Sequence, residues 1–291
     1  CGFHASDPAV MSATVAAAKA SAVAVGAHPG YPDLQGFGRR EMRIPPREVK
    51  AMVQYQIGAL QAFCQANGLP LQHVKPHGAL YNMAGKDESL ALAICEGIAE
   101  IDPSLILLGL SGSKLLSAAE KIGLPYAREV FADRAYEEDG SLVARGKPGA
   151  MITDEDAAVA RVIRMIREGV VTAVTGREIP IRADSVCVHG DSPKALAFVQ
   201  KIRAALESEG IQIVPLAEIV KERKPLKTSF SSIPNGAWRY CGNTVRRTSA
   251  GRPPSAFWMH PGGPSCSPPD FMWPVPERPT ALRAPCFWPG R

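Results

Sequence analysis

The sequence predicts an α/β fold of the (β/α) barrel kind, and three observations carry that reading. Short apolar runs alternate with longer amphipathic segments throughout residues 1–223. Five of the runs finish in His, Asp, Lys or Arg rather than in ordinary loop residues. No GxGxxG or Walker loop follows any run, which argues against an open, doubly wound nucleotide fold.

Each element has its own justification. "CGFH" reads as the end of a strand already under way, so the barrel is expected to lack its first strand. "DPAVMSATVAAAKAS" is a helix with Asp7 as N-cap and Pro8 at the first helical position. "AVAVGAHPG" is a strand, followed by the long helix "PPREVKAMVQYQIGALQAFCQANG", which closes at Gly68. "LQHVKPHG", "SLILLGLSG", "AREVFADR", "SVCVHGD" and "QIVPL" are the remaining strands, about seven β/α units in all. Between them run the helices "DESLALAICEGIAE", "GSKLLSAAEKIG", "DEDAAVARVIRMIREG" and "SPKALAFVQKIRAALESEG".

The formal net charge of +5 belongs to the end of the chain. Residues 1–223 hold 24 basic against 26 acidic side chains, whereas residues 224–291 hold 9 against 2. The main body therefore has no nucleic-acid signature. All four Trp and half of the 26 Pro also fall after residue 223, without helical or alternating period. An irregular, disordered or non-native tail is expected there. The seven cysteines form no CxxC pair, and Cys64, Cys95 and Cys187 lie in apolar patterns. Buried thiols in a reducing, cytoplasmic setting are expected, with no disulfide or zinc-knuckle framework. No run reaches the ~18 apolar residues of a membrane span, and no export leader is visible.

Where the polar residues fall is the strongest functional signal. His4 and Asp7 follow the first run, His28 and Asp33 the next, and Lys75 and His77 the third. Asp133 and Arg134 end "EVFADR", and His189 and Asp191 end "CVHGD". In a barrel such strand ends converge on one face, so an active site is expected there. His and carboxylate pairs suit general acid–base work or a divalent metal. Lys75 and Arg134 suit an oxyanion or a phosphate. No GxSxG elbow is present; Cys187 shares a strand face with His189, but water attack on an amide-like carbonyl fits better than a thiol nucleophile.

The ordered set "CGFHASDP", "GAHPGYPDLQGFGRR", "QHVKPHGALYN", "VFADRAY" and "VCVHGDSP" resembles the LamB/YcsF family, the A subunits of prokaryotic 5-oxoprolinase, from residue 1 to about 220. The resemblance implies a barrel of the polysaccharide-deacetylase and glycosidase type. It also implies ATP-coupled opening of the 5-oxoproline lactam to glutamate, in a complex with the B and C subunits. Two departures stand out: the family's Asn-Cys-Asp-x-Gly-Glu-like strand has no counterpart before Cys1, and Ser6 stands where the family usually has Gly. Resemblance and residue chemistry together imply His77 or His189 as acid or base, oriented by Asp191 or Asp133. Lys75 and Arg134 then hold charge, and Asp7, Asp33, Tyr81 and Asn82 contact the small-molecule substrate. His4 and His28 are candidates for a divalent metal, magnesium or similar. A stand-alone metal-dependent deacetylase without ATP and an inactive fragment are the rival expectations.

Overall fold

The computed structural model describes residues 1–189 and 195–221, so the tail expected from residue 224 lies outside the described residues. The elements run α1 (Pro8–Ala20), β1 (Val25–Ala27), α2 (Pro46–Ala66), β2 (Leu71–Val74), α3 (Gly78–Ala84), α4 (Glu88–Ile101) and β3 (Ile106–Leu110). They continue with α5 (Lys114–Ile122), β4 (Tyr126–Phe131), α6 (Glu155–Arg167), β5 (Val170–Thr172), β6 (Glu178–Pro180), β7 (Ser185–Cys187), α7 (Ala195–Ser208) and α8 (Leu216–Lys221).

Local chemistry sets the helix ends. The Asp7 carboxylate accepts from Val10 N at 2.9 Å, with Pro8 next to it, and Asp87 and Asp154 cap α4 and α6 in the same way. Helix α5 stops at Gly123, whose φ of 72° is left-handed.

Five strands form one parallel sheet in the order β1-β2-β3-β4-β7, while β5 and β6 make a separate antiparallel pair. The order never reverses, unlike that of a doubly wound sheet, so right-handed crossovers put the helices on one face and the sheet curls into a half-barrel. Helix α4 packs against both α2 and α5. The face they cover is fixed at Gly109, where a Cβ would meet Leu115 and Leu116 of α5. The ladder register then assigns every strand residue to a face. Ala27, Val74, Leu107 and Val130 point to the helices. His28, Lys75, Leu108, Glu129 and Cys187 follow the opposite, concave face. The lower part of that face is filled by Ile106, Leu108 and Ala127 against Leu216, Ala217 and Val220 of α8.

Three expectations need correction. The seven or so β/α units reduce to five parallel strands among the described residues. "CGFH" and "QIVPL" form no strand: Leu216 starts α8, and Ile213 and Val214 remain 44% and 37% exposed. An apolar run becomes a strand only if an edge accepts its backbone, and none does here. The β5–β6 pair is an addition, its alternation hidden in "VVTAVTGREIP" around Gly176.

One buried polar side chain ties the helical layer to the loop after β1. Gln56 on α2 is fully buried; its Oε1 accepts from Gly30 N and its Nε2 donates to Gly30 O, both at 3.0 Å. Replacing Gln56 with Leu leaves both main-chain groups buried and unpaired. The expected loss is about 2–4 kcal/mol, seen as a lower urea midpoint at unchanged m-value. Ser6 adopts a left-handed φ of 77°, which costs a side-chain-bearing residue about 1–2 kcal/mol. Ser6→Gly should raise the urea midpoint by a corresponding amount, and an unchanged midpoint would show that the strain is relieved locally.

Candidate functional site

The C-terminal ends of β1, β2, β4 and β7 surround a cavity of about 430 Å³. Its wall includes His4, His28, Lys75, His77, Arg134 and His189. Three further lining residues carry charge, namely Arg39, Arg145 and Glu41. Four cations therefore face one carboxylate, and the charged side chains of the wall favour an anionic group.

Beneath the cavity Lys75 spans the concave face. Its Nζ donates to Glu129 Oε1 at 2.7 Å and to Cys187 Sγ at 3.0 Å, while Tyr81 OH donates to Glu129 Oε2 at 2.9 Å. The side chains are 19% exposed at Lys75 and 3% at Glu129, so this is a buried ion pair. Burial alone would lower the Lys75 ammonium; Glu129 and then Cys187 reverse that and hold it above its ordinary value. Burial, then Glu129, push the Cys187 thiol up to about 11, so it is protonated at neutral pH and poorly suited to be a nucleophile. The Phe131 ring lies 5.0 Å from Lys75 Nζ. Glu129 is a member of this network that sequence reasoning passed over. A carboxylate in mid-strand between Arg128 and Val130 was the available signal.

On the β4–β7 side His189 Nδ1 lies 2.8 Å from Asp133 Oδ2, leaving Nε2 for other chemistry. Arg134 is buried, bonded through Nη2 to Val143 O, and its Nε has no partner among the described residues. Burial, then Arg145, lower its affinity for the proton. Leaving a buried guanidinium N–H unpaired is costly, and the same residue lines the cavity wall.

On the β1–β2 side three imidazoles meet. His77 Nδ1 lies 2.8 Å from His28 Nε2, and the His4 and His77 rings stack with centroids 3.7 Å apart. His28 Nδ1 donates to Lys75 O at 2.6 Å, and His77 Nε2 donates to Phe37 O at 2.7 Å. His4 Nδ1 is buried without a partner among the described residues. All three rings are held neutral. Burial, then His77, lower His4 to about 3; burial, then Arg39 among the neighbouring charges, lower His77 to about 4 despite its bond to Phe37 O; burial, then His77 and Lys75, depress His28 well below its usual value. The loop carrying Phe37 closes on them tightly. Phe37 has a left-handed φ of 53°, and a Cβ at Gly38 would sit 2.8 Å from atoms of both His4 and His77. A Cβ at Gly78 would lie 2.5 Å from Gly38 O, so both positions need glycine.

The remaining expected site residues divide. Tyr81 and Asn82 line the cavity, Tyr81 through its bond to Glu129. Asp133 stands behind His189. Asp7 caps α1 and Asp33 binds Arg40 and Gly36 N, and neither belongs to the cavity wall. Asp191 lies outside the described residues.

Comparison with known proteins agrees with this picture. Residues 1–221 match the LamB/YcsF family. The A subunit of 5-oxoprolinase from Clostridium beijerinckii is 68% identical over 219 residues, covering 75% of this chain and 86% of that protein. Its counterpart from Pyrococcus abyssi is 55% identical over 220 residues, covering 76% and 86%. The crystal structure of a lactam utilization protein from Thermus thermophilus superposes with a TM-score of 0.68 at 49% identity, covering 73% of this chain and 85% of that one. The half-barrel, its polar strand ends and these relatives lead to one conclusion: the chain belongs to the LamB/YcsF family.

Proposed function

We propose that this chain is the A subunit of an ATP-dependent 5-oxoprolinase, opening the lactam of 5-oxo-L-proline to L-glutamate together with B and C subunits. The observation that carries the reading is the buried Arg134 guanidinium, with an unpartnered Nε, in a cationic cavity that also holds Lys75 and the His189–Asp133 pair. The relatives, each named as the A subunit of 5-oxoprolinase, support the same substrate.

A lactam is a stable amide, so its carbonyl needs activation. ATP enters as co-substrate, and transfer of its terminal phosphoryl group to the lactam oxygen gives a phosphorylated imidate and ADP. Water then adds to the ring carbon and the carbon–nitrogen bond breaks, leaving an acyl phosphate. A second water attacks that acyl phosphate and releases phosphate as the carboxylate forms, so two waters are consumed for each ring opened. The ring nitrogen ends as the amine of glutamate after taking up protons. Lys75, kept cationic by Glu129, and Arg134 stabilise the negative charge on the oxygen and its phosphoryl group. His189 takes the proton from water and returns one to the leaving nitrogen, with Asp133 fixing the ring through Nδ1. Tyr81 holds Glu129, and through it the Lys75 ammonium, in place. His77 donates through Nε2 to Phe37 O and its Nδ1 faces His28 Nε2 at 2.8 Å, so it has no nitrogen open to substrate, and His189 is the better proton carrier of the two.

Lys75→Met should abolish turnover and, by leaving Glu129 buried and unpaired, cost about 3–5 kcal/mol of stability. Lys75→Met combined with Glu129→Gln should regain most of that stability in urea melts while remaining inactive. Recovered activity in the double variant would remove Lys75 from the reaction. The cofactor requirement is tested by measuring glutamate release with ATP, partner subunits, both or neither. Release should need both; release by this chain alone without ATP would favour the stand-alone amidohydrolase.

A further inference from the structure

We propose that His4, His28 and His77 together form a three-imidazole site for a divalent transition-metal ion of the zinc type. The inference rests on ring geometry and stands independently of the lactam reading. One ring nitrogen from each of the three histidines lies within 4.8 Å of those of the other two.

Hydrogen bonding fixes which nitrogens are bare. A carbonyl oxygen only accepts, so His28 carries its proton on Nδ1, toward Lys75 O, and His77 carries its proton on Nε2, toward Phe37 O. In the neutral rings the other two nitrogens, His28 Nε2 and His77 Nδ1, are therefore lone pairs, and they face each other at 2.8 Å. Two bare lone pairs at that distance repel unless a cation joins them. A metal ion meets the need through coordinate bonds. The back-side bonds are also those that metal-ligating histidines make: the second ring N–H donated to a main-chain carbonyl, which orients the ring and raises its basicity.

His4 supplies an independent observation. It is 5% exposed, and its Nδ1 has no hydrogen-bond partner among the described residues. A tetrahedral ion about 2.1 Å from each nitrogen needs its ligands about 3.4 Å apart. Loading therefore opens the His28–His77 pair by about 0.6 Å and tilts His4 out of its stack. No carboxylate belongs to the cluster among the described residues. Magnesium, the metal expected from the sequence, prefers oxygen ligands and does not fit, whereas imidazole nitrogen suits zinc, cobalt or nickel. His77, expected as an acid or base, becomes a ligand in this arrangement.

The test is a cobalt(II) titration of the purified, metal-stripped full chain, followed by the visible d–d absorption and by zinc competition. One ion per chain should bind in a tetrahedral or five-coordinate environment. His4→Ala and His77→Ala should each weaken binding more than about 100-fold. His73→Ala, on the same sheet face but outside the cluster, should leave it unchanged. X-ray absorption on the unmodified cobalt-loaded chain should report three imidazoles and settles the matter even if a variant fails to fold. Absence of a stoichiometric ion, a shell with fewer than two imidazoles, or equal loss of binding in His73→Ala would each overturn the proposal.

Discussion

The ion pair between Lys75 and Glu129 is the constraint on which the rest of this structure depends. It joins β2 to β4 across the intervening β3, on the concave face of the sheet, opposite α2, α4 and α5. Burying an unpaired charge there would cost several kcal/mol, so neither residue is tolerable without the other. The Tyr81 hydroxyl and the Cys187 sulfur complete the coordination of the pair and bring in α3 and β7. Four elements therefore meet at one ion pair, and the cavity above inherits its position from them.

The two groups of ligands around the cavity differ in electrical character. The β4–β7 side offers an imidazole with a carboxylate behind it and a guanidinium short of a partner, which suits proton transfer beside an anion. The β1–β2 side offers neutral nitrogens only, held so by burial and by nearby cations. Lys75 lies between them in the chain of contacts, since its carbonyl receives the His28 proton while its ammonium meets Glu129. A single residue thus connects the tautomer of one side to the charge of the other.

Much of this was legible in the sequence, for identifiable reasons. The period of the helices, the Asp7 cap and the polar ends of "GAHPG", "HVKPHG", "FADR" and "CVHG" are local signals, and the fold preserves them. Residues whose meaning depends on partners far along the chain were harder to read. Glu129 looks like an ordinary strand residue until Lys75, 54 positions earlier, is brought beside it. Asp33 has the right residue type at the right strand end, yet Arg40 and the Gly36 amide take up its carboxylate within the same loop. "QIVPL" has strand composition but pairs with no strand, and its last residue starts a helix that seals the lower concave face.

The main-chain acceptors behind His28 and His77 have a consequence for how this cluster can evolve. The oxygens belong to Lys75 and Phe37 as peptide groups, so no side-chain replacement can delete either of them. Proton placement on the two rings is insulated from point substitution at those positions and vulnerable only to changes that move the backbone. Gly38 and Gly78, which set how closely the two loops approach, are where such changes would enter. The orientation of these imidazoles is thus set by the course of the chain itself and not by the side chains at positions 37 and 75.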